Sequence, residues 1–198
     1  MFKQFKALAP VVIATAAMFS VATSARAETA PHVKFATTAG DFVVEVYPDK
    51  APKTVENFLQ YVKDKHYDGT IFHRVIDNFM VQGGGYDASY SEKKTRAPVI
   101  HEGREALAKG GPRNVVGTLA MARTNDPNSA SAQFFINVKD NNFLDPNAQQ
   151  PGYTVFGKVT SGMETIQKIK SSPTGSGGPF RTDVPQTPIL INSATLVK

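Results

Sequence analysis

Two stretches of the chain gather side chains suited to gripping a peptide without cutting it. In Phe72-His73-Arg74-Val75-Ile76-Asp77-Asn78-Phe79-Met80-Val81-Gln82-Gly83-Gly84, a side-chain period of two sets Arg74 and Ile76 on one surface. Beyond a bend, Met80 and Gln82 reach the same surface. The second stretch is Leu119-Ala120-Met121-Ala122-Arg123, followed by Ser131-Ala132-Gln133-Phe134-Phe135-Ile136-Asn137. Phe79, Met80 and Phe135 offer an apolar pocket of a size for a five-membered ring. Arg74 supplies a planar fork of donors, and Gln82 an amide that both donates and accepts. No carboxylate cluster is visible, and neither Ser129 nor Ser131 has an identifiable histidine partner, which disfavours a serine hydrolase. The chemistry left is one in which no covalent bond is made or broken.

These groups need rigid elements beneath them, and the pattern supplies mostly strands. Residues 32–38 and 41–47 alternate with period two around a tight turn and read as a hairpin. Pro48 and Pro52 stop the sheet. A helix reaching residue 64 follows, with Val55, Phe58, Leu59 and Val62 as its apolar stripe. Residues 70–76, 79–82, 98–101, 115–123, 133–138, 155–160 and 189–197 read as further strands. Gly83-Gly84-Gly85 breaks the second of these. A second helix covers 162–171, and residues 172–188, rich in Gly, Pro and Ser, read as loop. The expected fold is mainly β: a closed eight-stranded antiparallel barrel with a helix over each open end, which leaves no free sheet edge.

The first residues stand apart. Lys3 and Lys6 precede an uncharged run over residues 7–21, and Ala25-Arg26-Ala27 closes it. A basic start, an apolar middle and an A-x-A end make a secretory signal peptide, with cleavage expected after Ala27. The run is shorter than the roughly 20 apolar residues of a membrane span. The leader holds three of the five net positive charges, so the basicity belongs to targeting and carries no expectation of nucleic-acid binding. The domain is expected to occupy residues 28–198, exported to a periplasm and free of the membrane once mature. There is no cysteine, which excludes disulfides, thiol nucleophiles and thiolate metal sites. His32, His66, His73 and His101 show no metal-ligand spacing. Neither a metal nor a cofactor is expected. Thirteen Phe and no Trp leave phenylalanine to supply the large aromatic core.

The two stretches closely resemble the cyclophilins. So do Pro52-Lys53-Thr54-Val55-Glu56-Asn57-Phe58 and Val155-Phe156-Gly157-Lys158-Val159, and the likeness covers nearly all of the chain beyond the leader. It implies peptidyl-prolyl cis–trans isomerase activity on proline-containing polypeptides. The active surface it implies consists of Arg74, Phe79, Met80, Gln82, Ala122, Arg123, Gln133, Phe135, Phe143, Leu144 and Tyr153. Arg74, Gln82 and Phe135 are its catalytic members and the rest bind substrate. Phe143 stands where many members have tryptophan and lacks the indole donor, so weak cyclosporin binding is expected. Tyr153 stands where many have histidine, and Asp77-Asn78 replaces a common Pro-Gly pair. A closed barrel gives no reason to expect more than a monomer.

Rotation about an X–Pro bond fits the residues. Its barrier is roughly 18–20 kcal/mol because the C–N bond is partly double. The proline ring would sit among Phe79, Met80, Phe135 and Leu144. Gln82 and backbone groups near Ala122 and Arg123 would hold the peptide. The Arg74 guanidinium would donate toward the prolyl nitrogen, which accepts well only when the bond is twisted, so the interaction favours the transition state. A rate gain of about 10⁵ needs about 7 kcal/mol, of which one such hydrogen bond supplies about 3 kcal/mol. The competing reading is a peptide-binding, chaperone-like module with little catalysis. Alone, Arg74 would read as a structural ion-pair partner and Phe79, Met80 and Phe135 as plain core; the surrounding blocks reverse this.

Overall fold

The computed structural model describes Met1 and residues 30–197. The proposed leader and its cleavage point lie outside the described residues. Eight strands form one antiparallel sheet: β1 (His32–Thr37), β2 (Gly40–Val46), β3 (Thr70–Ile76), β4 (Met80–Asp87), β5 (Thr118–Met121), β6 (Phe134–Asn137), β7 (Val155–Ser161) and β10 (Ile191–Val197). Their order is β10-β1-β2-β7-β5-β6-β4-β3. A separate hairpin joins β8 (Thr174–Gly177) to β9 (Phe180–Pro185), and the helices are α1 (Pro52–Lys63), α2 (Gly103–Ala108) and α3 (Met163–Lys170).

Strand number and antiparallel pairing match expectation, but closure does not. The sheet curls strongly, and its edges β10 and β3 meet over a few residues only. An antiparallel bridge joins Ile71 to Leu190. The N–H groups of Gly69 and Phe72 donate to the carbonyls of Ile191 and Ile189 at 2.8 and 3.0 Å. β3 overlaps only the entry to β10, so no continuous ladder seals the seam, and the sheet is a half-barrel.

Four other expectations are corrected. Residues 172–188 contain the β8–β9 hairpin, whose glycine-rich composition hid it: tertiary burial of Val184 and packing of Phe180 against His73 hold it in place. Residues 98–101 form no strand; Val99 N–H donates to Ala130 O, and His101 N–H to the Asn128 side chain. The six-residue α2 is too short to show a helical period, which makes three helices rather than two among the described residues. Strand β4 also runs through Gly83-Gly84-Gly85 rather than ending there.

Phenylalanine fills the core as composition demanded. Phe35 and Phe42 stack at 4.8 Å, and Phe58 and Phe156 pack at 5.0 Å. Helix α1 closes over this cluster with Val55, Phe58, Tyr61 and Val62 buried. Ala51 provides no side-chain cap, so a distant carboxylate does the work. Glu102, buried, accepts from Lys53 N–H at 3.1 Å, Thr54 N–H at 2.7 Å and the Thr54 hydroxyl at 2.7 Å. It satisfies two orphan donors of the first turn and opposes the positive end of the helix dipole. Replacing Glu102 with Ala strands those donors and is expected to cost about 2–3 kcal/mol in urea unfolding, with Glu102→Gln costing about half as much.

Candidate active site

Strand register places the expected catalytic side chains in one row. Arg74 of β3 pairs with Gln82 of β4, Gln82 pairs with Phe135 of β6, and Phe135 pairs with Ala120 of β5. Adjacent strands lie about 4.8 Å apart and paired residues point to the same face, so the row of four spans about 14 Å, the reach of about four extended residues. Two irregularities in β3–β4 create it. Phe72 pairs with Gly83 but Arg74 pairs with Gln82, so His73 is an extra residue and β3 bulges there. On the other side, Thr70 pairs with Asp87, and β4 takes four residues where β3 takes two. Gly84 sits in this stretch at φ +85°, where a Cβ would lie 2.8 Å from the Tyr67 ring.

The row borders a cavity of about 90 Å³ lined by Arg74, Phe79, Met80, Gln82, Ala122, Arg123, Phe135, Leu144 and Tyr153. Its floor is a small apolar cluster of Met80, Ala120, Phe135, Leu144 and Val155, separate from the main core. Tyr153 meets Phe135 edge-on at 5.5 Å. Two of the expected residues lie just outside. Gln133 accepts from the Gln82 amide at 2.9 Å and so orients it; it also fills the space that a Cβ on Gly85 would occupy, at 2.5 Å. Phe143 stands at the rim in a 3₁₀ turn, 63% exposed, stacked on Phe79 at 5.8 Å.

The two guanidinium groups at the cavity differ. Arg74 is exposed and enters none of the ion pairs among the described residues. Arg123 is engaged: Nε and Nη2 donate to Gly152 O at 3.2 and 2.8 Å, Nη1 donates to Thr124 O, and the group lies 4.5 Å over the Tyr153 ring. Arg74 is therefore the cation left to meet a bound peptide.

Sequence reasoning missed the polar frame behind the cavity. Asn141 donates to Phe79 O and to the Asn137 side chain, both at 2.8 Å. Asn137 in turn donates to Asn114 and Thr118. Asp145 accepts from the Asn114 backbone and side-chain N–H groups at 2.8 and 2.9 Å. Asparagines in polar stretches read as loop residues; only their burial marks them as struts, and no sequence signal distinguishes the two.

This geometry has known counterparts. Residues 32–196 match the family described as "Cyclophilin type peptidyl-prolyl cis-trans isomerase/CLD". The chain is 52% identical over 168 residues to peptidyl-prolyl cis-trans isomerase cyp18 of Streptomyces antibioticus, covering 83% of this chain and 98% of that one. It is 44% identical over 193 residues to peptidyl-prolyl cis-trans isomerase A of Dickeya dadantii, covering 98% of each. Among solved structures, it resembles a Cryptosporidium parvum cyclophilin-type isomerase solved in the presence of the dipeptide Ala-Pro, with a TM-score of 0.66 and 25% identity over 84% of this chain and 99% of that one. With a half-barrel fold, an aromatic pocket and an arginine at its mouth, the protein is of the peptide-binding isomerase type. The chain belongs to the cyclophilin-type peptidyl-prolyl cis-trans isomerase family.

His73, the bulged residue beside Arg74, is packed against Tyr86 at 4.7 Å and Phe180 at 5.5 Å, and its Nδ1 is buried without a partner. Burial first, and then the Arg74 charge, push its pKa down to about 4. Because the unfolded chain takes up this proton near pH 6.5, stability falls as pH drops from about 6.5 to 4. The loss reaches roughly 3 kcal/mol from this residue. Urea titrations across that window should show it, and His73→Phe should flatten the slope; His66 and His101, also lowered by burial, would supply what remains.

Proposed function

We propose that the row Arg74–Gln82–Phe135 catalyses rotation about X–Pro bonds in polypeptide substrates. The observation that carries this reading is an unpaired guanidinium at the mouth of an apolar cavity of about 90 Å³. The proline ring packs on Phe135, Met80 and Leu144, with Phe79 and Tyr153 at its sides. Gln82, oriented by Gln133, and the backbone at Ala122 and Arg123 hold the flanking peptide. As the C–N bond twists, conjugation is lost and the prolyl nitrogen gains a lone pair. The Arg74 guanidinium then donates to it more strongly than to the planar ground state, which lowers the barrier.

The bearing of the cavity on peptide binding is distinct from its bearing on catalysis, and Arg74 separates them. Isomerisation of a short Ala-Pro peptide, followed by exchange NMR, should slow about 10²- to 10³-fold in Arg74→Ala while peptide binding stays within a few-fold of wild type. An Arg74→Ala rate equal to wild type would discard the catalytic role of Arg74, and a wild type without activity would reassign the protein as a binding module.

The reading extends to place and assembly. The mature protein acts as a monomer in the periplasm on exported chains, after removal of the leader at Ala27. The basic–apolar–A-x-A pattern supports export. Cell fractionation followed by N-terminal sequencing of the mature protein tests both points.

Cyclosporin binding is weak in this reading, because Phe143 offers a ring but no N–H donor. Inhibition assays should show Phe143→Trp binding the drug at least about tenfold more tightly than wild type, the worth of one well-placed hydrogen bond.

A further inference from the structure

Two segments distant in sequence converge on a single backbone carbonyl, that of Gly152. Arg123, just past β5, grips it with two N–H donors at 3.2 and 2.8 Å. The His101 ring Nε2 lies 3.2 Å from the same oxygen. His101 Nδ1 accepts from Gly103 N–H at 3.3 Å, which leaves the proton on Nε2 and makes that nitrogen the donor to Gly152. The carbonyl oxygen thus accepts from both the guanidinium fork and the imidazole.

Gly152 cannot be replaced cheaply. Its φ is +65°, and a Cβ there would lie 2.3 Å from the Pro146 nitrogen. The loop is thus folded tightly on itself at the point that Arg123 holds. The next residue is Tyr153, a wall of the cavity. Its N–H donates to Leu144 O at 3.0 Å, its ring lies beneath the Arg123 guanidinium at 4.5 Å, and it meets Phe135 edge-on at 5.5 Å.

Arg123 faces the cavity, yet its donors are turned to carbonyls and its charged plane to a ring. Three of its five N–H donors are so engaged, and none of these contacts is to a group that changes as an amide twists. We propose that Arg123, with His101 beside it, is a positioning residue: by clamping Gly152 it fixes Tyr153 as the wall against which the substrate's proline ring packs. It acts on capture of the peptide and leaves the rotation step to Arg74. This rests on the isomerase reading given above.

The clamp is tested by measuring KM and kcat separately, by exchange NMR with an Ala-Pro peptide at varied concentration. Variants are Arg123→Ala, Arg123→Lys, Tyr153→Ala and the Arg123→Ala/Tyr153→Ala pair. Arg123→Ala should raise KM about three- to tenfold, the combined worth of a cation–π contact and a forked hydrogen bond, with kcat within about twofold. Lysine can donate to Gly152 O but lacks the fork, so Arg123→Lys should give an intermediate KM. The double variant should be no worse than Tyr153→Ala, because the first change acts through the second.

An unchanged KM in Arg123→Ala overturns the proposal, and so do additive effects in the pair. A fall in kcat at constant KM overturns it as well, because the guanidinium would then act on the amide directly. Thermal melting verifies that Arg123→Ala is folded; if it is not, Arg123→Lys must still show the KM shift alone. Failure of the underlying isomerase reading looks different, since wild type itself would then turn over no peptide.

Discussion

A single inserted residue decides what this sheet can do. At Phe72, β3 pairs with β4 in one register; from Arg74 onward it pairs in another, one residue out of step. Because side chains alternate along a strand, a slip of one exchanges the two faces. Without the bulge His73 would face Gln82, and the arginine would turn to the opposite side of the sheet. With it, Arg74, Gln82, Phe135 and Ala120 share one row, while the imidazole goes into an aromatic nest of Tyr86 and Phe180. The same nest keeps the imidazole uncharged, so no second cation forms at the root of Arg74. The β8–β9 hairpin, which supplies Phe180, is therefore tied to the site even though none of its residues lines the cavity.

The apolar floor is held by polar means. Its rim residues Phe79 and Leu144 belong to turns, which have no ladder to fix them. Asn141 fastens the first by accepting nothing from it and donating to its carbonyl, and Asp145 anchors the second through Asn114. Amides suit this task because each both donates and accepts, so a chain of them can satisfy itself when buried without carrying net charge. The one charged member, Asp145, is balanced by Arg113 at 3.2 Å as well as by the amides. A frame of this kind fixes distances between turns from different parts of the chain, which hydrophobic contact alone does not specify.

Much of this was legible in the sequence, for a definable reason. β-Branched and aromatic residues in 70–76, 79–82 and 133–138 placed Arg74, Gln82 and Phe135 on strands, and the ordered blocks named the family. The bulge at His73 was not legible, because a bulge has no composition of its own; the row was inferred by resemblance and its cause emerged only from the register. The β8–β9 hairpin was missed because local propensity there favours turns and tertiary packing overrides it. α2 was missed because six residues are less than two helical turns. Arg123 lines the cavity as expected of a site residue; its hydrogen bonds to the Gly152 carbonyl were not legible, because no spacing rule connects residue 123 to residue 152. The seam between β10 and β3 stayed partly open because strand count sets the number of strands in a barrel and says nothing of how far the edge strands overlap.

Exposure of Arg74 fits the task better than burial would. A cation held in a dry pocket before substrate arrives would carry a heavy desolvation cost, or would recruit an acid that then competes with the prolyl nitrogen. At the surface it stays hydrated and unpaired at little cost. Its interaction with a developing lone pair would also be weak there, since water screens it. In the proposed mechanism the peptide itself resolves this conflict: as its proline ring settles on Phe135 and Leu144, and Phe79 with the stacked Phe143 closes one side, water leaves the space between the guanidinium and the amide. The local dielectric falls only when a substrate is present, so the electrostatic term grows at the moment it is needed. The aromatic rim therefore contributes to rate through the strength it lends to Arg74, in addition to any affinity it provides.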